Sequence, residues 1–280
     1  MPSIAEIHDY YVDATQMYTR YSAGAGWHVG LWDAGVTTHA QSILATNRRL
    51  LAGLAIDANT HILDAGCGSG SLAIWAARTF GCRVTGITIV PMHVAMAQFS
   101  AALADVRHLC DFQPMDMAAM TFPDATFDIV TNQETFCYVE DKPRYLRDVQ
   151  RVLRPGGAWR AVDCALSEGK PSVRAERRHR RTCDGWHTFP YARPSEVERL
   201  MDDASLRREP TEDLTRLTLP CVREWLQPGL AGSPAVRRRE RARDPRRYAA
   251  MTAHFDGSRA CARALIDGDF LYVRYAATKG

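Results

Sequence analysis

The sequence predicts an α/β fold organised on a mostly parallel, doubly wound sheet. Three observations predict it. From residue 60 to residue 165, short apolar runs alternate with segments whose apolar residues recur at helical spacing. The first of those runs opens directly into a glycine-rich turn and then a helix, Asp64-Ala-Gly-Cys-Gly-Ser-Gly70. The chain has 280 residues, 46% of them hydrophobic, which is enough to bury such a sheet between helical layers. Strands that alternate with helices pair in parallel, and right-handed crossovers then wind the helices onto both faces.

Taken in order, residues 1–57 read as helical, with 40–56 showing apolar residues at helical spacing and the glycine- and aromatic-rich stretch 22–36 reading as a loop. Residues 60–80 are a strand, a turn and a helix. A second strand (82–89), a second helix (90–106) and a third strand (110–116) follow. Residues 127–139 hold a fourth strand and its exit loop, 142–157 a helix ended by Pro155-Gly156-Gly157, and 158–165 a fifth strand. The alternation then breaks. Residues 166–193 are polar and arginine-rich, 194–204 read as a helix, 212–219 as a strand, 221–265 as helical around a loop near 227–234, and 268–278 as a closing strand.

Composition narrows the function classes. A net charge of +3 does not by itself argue for nucleic acid, and the aromatics are not interleaved with the arginines as a base-stacking platform requires. No stretch approaches the ~20 apolar residues that span a bilayer. The N-terminus lacks the basic segment and apolar run of a signal peptide. Eight cysteines are scattered without a C-x-x-C pair or zinc spacing, so they read as reduced thiols. The expectation is a cytoplasmic protein with a small-molecule partner, no nucleic acid, no membrane and no metal on protein ligands, with a homo-oligomer left open.

The turn carries the chemistry. Glycines at 66, 68 and 70 let the backbone lie against a ligand, and the next helix presents its first N–H groups there. The spacing is G-x-G-x-G, not the G-x-G-x-x-G of dinucleotide enzymes, and the acidic Asp64 opens it. Together with 112–117, 122–134 and 152–157, in that order, this segment resembles the motif series of class I S-adenosylmethionine (SAM) dependent methyltransferases. The resemblance covers about 60–165 strongly and 268–278 weakly. It implies a Rossmann-like, seven-stranded sheet with N-terminal helices and a helical cap. Asp64, Gly66, Gly68 and Gly70 then lie at the methionine and ribose end of SAM, Asp116 and Met117 at the adenine, and Asn132 near the methionine moiety. Where most of the family has an acidic residue after the second strand, this chain has Thr88. A branch acting on sterol, fatty and prenyl chains shares that threonine and has a polar residue a few positions on. His93 stands there; the alternative is an ordinary surface histidine.

The loop Thr131-Asn-Gln-Glu-Thr-Phe-Cys-Tyr-Val139 resembles the N-N-E-S-x-x-Y-V stretch of prenyl diphosphate C-methyltransferases, in which the glutamate removes a proton after methyl transfer. Carried over, the base is Glu134; the alternative is a glutamate that only orients the cofactor or caps a helix. Tocopherol and sterol methyltransferases share an acidic residue here. The segment 26–32 is similar to an H-x-G-x-W segment that closes over SAM, which points to His28 and Trp32, or else it is a packed loop. Aromatic candidates for a cation-stabilising pocket include Tyr10, Tyr11, Tyr18, Tyr21 and Trp27 before the core and Trp186 and Trp225 after it, with Tyr18 and Trp186 placed at the substrate. Arg174, Arg177, Arg178 and Arg181 suit bidentate phosphate contacts, with Mg2+ on a diphosphate as an option, and a second basic cluster spans 237–247. A solvated face is the alternative for both clusters. The expected function is SAM-dependent C-methylation of a small prenyl diphosphate through a carbocation quenched by Glu134. The alternative is O- or N-methylation of another small natural product. The expected division is an N-terminal helical cap segment (1–57), a SAM-binding core (58–165), substrate-side insertions with one core strand (166–265) and the closing strand (266–280).

Overall fold

The computed structural model describes residues 1–22, 26–225 and 234–280. Helices α1 (Ile4–Ser22) and α2 (His39–Leu50) precede the sheet. The alternating unit follows: β1 (His61–Ala65), α3 (Ser71–Phe80), β2 (Arg83–Thr88), α4 (Pro91–Leu103), β3 (Cys110–Pro114), β4 (Phe127–Gln133), α5 (Lys142–Val152) and β5 (Leu153–Leu166). The later part contains α6 (Val173–Trp186), α7 (Pro194–Asp203), β6 (Leu206–Arg208), β7 (Glu212–Asp213), α8 (Thr215–Trp225), α9 (Pro234–Arg243), α10 (Pro245–Asp267) and β8 (Phe270–Lys279). Element ends have local causes. Thr38 and Gln41 form a capping box at the start of α2, Asp141 accepts the Arg144 N–H at the start of α5, and Gly81 closes α3 in the left-handed conformation.

The strand order is β3-β2-β1-β4-β5-β8-β6, with β7 pairing against β8 off this path. β1 to β5 are parallel, and β8 runs antiparallel to β5, β6 and β7. The sheet therefore has eight strands where seven were expected; the unforeseen one is the three-residue β6, with Leu206 opposite Lys279 and Arg208 opposite Ala277. Alternate residues of each strand feed different cores: Ile62 and Ile129 pack on one face, Leu63, Ala65 and Val130 on the other. The order runs outward from β1 and β4 in opposite directions, so the crevice of the sheet opens at their carboxyl ends.

Two readings of the sequence are corrected, and one stretch left without an element acquires a helix. The stretch 212–219 holds only two strand residues. Asp213 then accepts the Thr215 N–H and starts α8, whose buried Thr218, Cys221 and Val222 follow a helical and not an alternating period. The helix of 142–157 stops at Val152, and Leu153 already pairs with Phe127 as the first residue of β5. The polar stretch 166–193 contains α6, which starts at a Ser172 cap and packs against α10. Gly185 and Gly257 make that contact possible, because a Cβ on Gly185 would stand 2.8 Å from the Gly257 Cα. The loop expected near 227–234 lies largely outside the described residues. No described helix is long and apolar enough to cross a membrane.

Candidate active site

A cavity of about 390 Å³ lies at the carboxyl ends of β1, β2 and β4, walled on its other side by residues of α1, α6 and α10. The glycine turn between β1 and α3 forms one wall, and its three glycines serve different ends. A Cβ on Gly66 (φ +89°) would stand 2.7 Å from the Thr135 Cβ, and one on Gly70 (φ +82°) 2.9 Å from both Ala97 and Phe112, so both are forced by packing. Gly68 (φ +50°) faces open space beneath Trp27, whose ring would be 3.7 Å from an added Cβ. Gly70 caps α3 without a side-chain hydrogen bond, which leaves the first N–H groups of that helix without a capping side chain. Asp64 is buried beside the turn. Its Oδ1 accepts from Thr131 at 3.3 Å, its Oδ2 has no hydrogen-bond partner among the described residues, and burial pushes its pKa up to about 7.

Glu134 opens the exit loop of β4 in the left-handed region, at φ +53°, which is uncommon for a residue with a Cβ. Its N–H donates to the Val162 carbonyl at 2.8 Å. The carboxyl Oε1 accepts from the Val29 N–H at 2.6 Å and from the Tyr272 hydroxyl at 2.9 Å. Both bonds fall on one oxygen, Oε1, and Glu134 lines the cavity. Burial outweighs these bonds and raises its pKa to about 8. A second buried carboxyl, Asp163 on β5, accepts the Cys137 and Cys164 N–H groups at 2.9 and 2.8 Å. It sits higher than usual, at about 6, again through burial.

Of the other expected cofactor residues, Thr88, Asp116 and Met117 line the cavity. His93 lines it too and is no surface residue: it is 1% exposed, its Nε2 lies 2.8 Å from Thr15 Oγ1, and its ring meets Trp27 edge-on at 4.9 Å. Two expectations are corrected. Asn132 lies behind the wall with its amide fully engaged: it donates to the Ala65 carbonyl and Thr135, and accepts from Tyr145 and Trp159. It positions Thr135 and does not line the cavity. Trp32 does not line the cavity, its backbone N–H donating to the Leu217 carbonyl of α8, and Trp27 lies over the turn. The partner in that segment, His28, does line the cavity, with Nε2 unpartnered among the described residues and its pKa lowered to about 4 by burial.

Tyr18 and Trp186 line the cavity. The four arginines do not. Arg177 and Arg181 are exposed on α6, while Arg174 and Arg178 bind Asp267, and Arg178 also binds Asp269, tying α6 to the end of α10. No Arg or Lys lines the cavity among the described residues. The side chains of Tyr21, Trp225 and Arg237 lie outside the described residues. Sequence reasoning missed Asp163, Tyr272 and His254. An aspartate inside a mostly apolar strand segment, Ala161-Val-Asp-Cys-Ala165, was the available signal for the first. The other two come from the far end of the chain, and no local pattern marks them.

Residues 63–160 match the family described as methyltransferase domain. The chain is 31% identical over 197 residues to the 27-O-demethylrifamycin SV methyltransferase of Amycolatopsis mediterranei, covering 70% of this chain and 72% of that protein. Among solved structures it is similar in fold to the cyclase SpnF, with a TM-score of 0.81 at 20% identity over 99% of this chain and 96% of that one. It is likewise similar in fold to the geranyl diphosphate C-methyltransferase of Streptomyces coelicolor in complex with Mg2+, geranyl diphosphate and S-adenosyl-L-homocysteine, with a TM-score of 0.77 at 19% identity over 100% and 98% of the two chains. The open backbone at Gly68, the uncapped start of α3 and the unpartnered Asp64 oxygen fit a cofactor with a charged amino-acid end. The chain belongs to the class I SAM-dependent methyltransferases.

Proposed function

We propose that this methyltransferase adds its methyl group to an alkene carbon of a small prenyl-type acceptor and that Glu134 collects the proton released afterwards. The observation that carries the reading is the placing of Glu134: a buried carboxyl held at Oε1 by Val29 and Tyr272 and lining a cavity walled by Tyr11, Tyr18, Trp27 and Trp186. Bound at the glycine turn, SAM supplies an electrophilic methyl group. The chain contributes alignment and exclusion of water. The aromatic faces favour a cation on the acceptor, and Glu134 is the base within the same cavity. A fold shared with a geranyl diphosphate C-methyltransferase supports the acceptor class. Gly66, Gly68, Thr88, Asp116, Met117 and His93 are the proposed cofactor contacts, with Tyr18 and Trp186 at the acceptor. No cluster of three or more His, Cys, Asp or Glu placed to hold a metal occurs among the described residues, so the side chains offer Mg2+ no multidentate site.

A second reading is O-methylation of a natural product. It is favoured by the 31% identity to the 27-O-demethylrifamycin SV methyltransferase, by the 30% identity to an O-methyltransferase of Aspergillus sclerotiorum, and by the lack of Arg and Lys in the described lining. Methyl transfer from labelled SAM to prenyl acceptors, phenols and amines separates the two. Carbon-methylated prenyl product is the expected result. Product with phenols alone would replace the first reading by the second.

A further inference from the structure

The acceptor side of the cavity holds a hydrogen-bond chain that neither Glu134 nor the glycine turn uses. Tyr18 Oη lies 3.0 Å from Tyr10 Oη, and Tyr10 Oη lies 2.7 Å from His254 Nδ1. On the far side of the ring, Nε2 is 3.4 Å from Ser258 Oγ. Counting protons orients the chain. Ser258 has one hydroxyl proton, and the His254 carbonyl at 2.9 Å takes it in preference to Nε2 at 3.4 Å, while the Ser258 oxygen accepts from Trp186 Nε1 at 3.2 Å. Toward the imidazole, Ser258 is therefore an acceptor. Nε2 carries the ring hydrogen, and Nδ1 is left to accept. Tyr10 donates its only proton to Nδ1, so Tyr18 must donate its own to Tyr10. Tyr18 lines the cavity and so presents oxygen lone pairs there with no proton to offer. Burial holds the imidazole neutral, with its pKa lowered to about 4, so the orientation persists at neutral pH.

A second observation is electrostatic. Asp64, Asp116, Glu134, Asp163 and Glu224 line the cavity and no Arg or Lys does so among the described residues. An anionic head group would enter a pocket of carboxyl groups with no cationic side chain among the described residues to receive it.

We propose that the cavity selects an uncharged acceptor whose hydroxyl donates to Tyr18 Oη, with Tyr10 and His254 as positioning residues that keep Tyr18 an acceptor. For a prenyl chain, the favoured form is the free alcohol and not the diphosphate. The proposal rests on the reading of this cavity as the acceptor pocket.

The test is calorimetric binding of geraniol, geranyl methyl ether and geranyl diphosphate to the full chain saturated with S-adenosylhomocysteine. Geraniol is expected to bind at least about tenfold more tightly than the other two, the scale of one well-made hydrogen bond. Tyr18→Phe should bring the alcohol and ether together. Tyr10→Phe should free the Tyr18 proton, so that Tyr18 can donate to the ether oxygen and the ether gains on the alcohol. A role confined to packing would leave the alcohol-to-ether ratio unmoved in both variants. Diphosphate binding as tight as geraniol, an unchanged ratio in Tyr18→Phe, or no binding of any of the three overturns the proposal. Methylation measured in parallel keeps the two ideas apart: the expected binding order without carbon methylation supports this inference and overturns the proposed reaction.

Discussion

Glu134 combines an uncommon backbone conformation with a buried carboxyl, and both bear on how it can act. The left-handed φ costs about 1–2 kcal/mol for a residue with a Cβ, and the Glu134 N–H bond to Val162 helps to hold it. Burial holds the proton on the carboxyl below a pKa of about 8. A base must be ionised to act, so turnover should rise with pH through that value in the wild type. Glu134→Gln keeps the shape and should keep SAM affinity, yet lose turnover by ~10²–10⁴-fold and lose the pH-dependent rise. Steady-state rates from pH 6 to 9 with a parallel SAM titration check this; wild-type turnover in the variant would remove Glu134 as the base. The glutamate itself was legible from the loop that follows β4. Its partners were not, since Val29 and Tyr272 are 105 and 138 residues distant in sequence.

Among the elements, the turn between β1 and α3 was read closely as a motif and only partly as geometry. Equal spacing hid unequal surroundings: Gly70 is packed against Ala97 and Phe112, Gly66 against Thr135, and Gly68 faces the cavity. Gly70→Ala should therefore lower the melting temperature more than Gly68→Ala, since a left-handed alanine and overpacking together cost on the order of 2–5 kcal/mol. Gly68→Ala carries the backbone strain alone, at about 1–2 kcal/mol, and should instead weaken SAM binding markedly. Thermal melts and SAM titrations of both variants decide it, and an equal loss of stability in the two would contradict the division of roles. The arginines of α6 teach the reverse lesson. Their composition suggested a phosphate site, but a helix distributes neighbours around its circumference. Arg178 turned to Asp267 and Asp269 while Arg177 and Arg181 turned to solvent.

For the molecule as a whole, the buried titratable groups give the ligand-free protein a pH signature. Glu134 is raised from 4.5 to about 8 and Asp64 from 3.8 to about 7, so the native state keeps protons that the unfolded chain has lost. Their contribution is fully present below the unfolded values and is lost as pH rises through the folded ones. His28, His93 and His254 act in the opposite window. They are lowered from 6.5 to about 4, so their contribution is complete above 6.5 and is lost as pH falls toward 4. Between pH 6.5 and 8 only the carboxyl loss is still in progress, and the melting temperature should fall there. Glu134→Gln should fall less. Calorimetric scans at pH 6.5, 7.2 and 8 would show it, and parallel declines in the two proteins would refute the assignment.

What the sequence determined by itself was local: the alternation of strands and helices, the glycine turn, the threonine ending β2 and the glutamate after β4. Each is written in contiguous residues, because periodicity, capping and turn conformation act over a few positions. Only the tertiary structure decided which aromatic covers the turn, which groups hold the Glu134 carboxyl, that the α6 arginines lie outside the cavity, and that α1 and α10 share the Tyr10–His254 bond. Those are contacts between residues far apart in the chain, set by how elements pack and not by the pattern within any one of them.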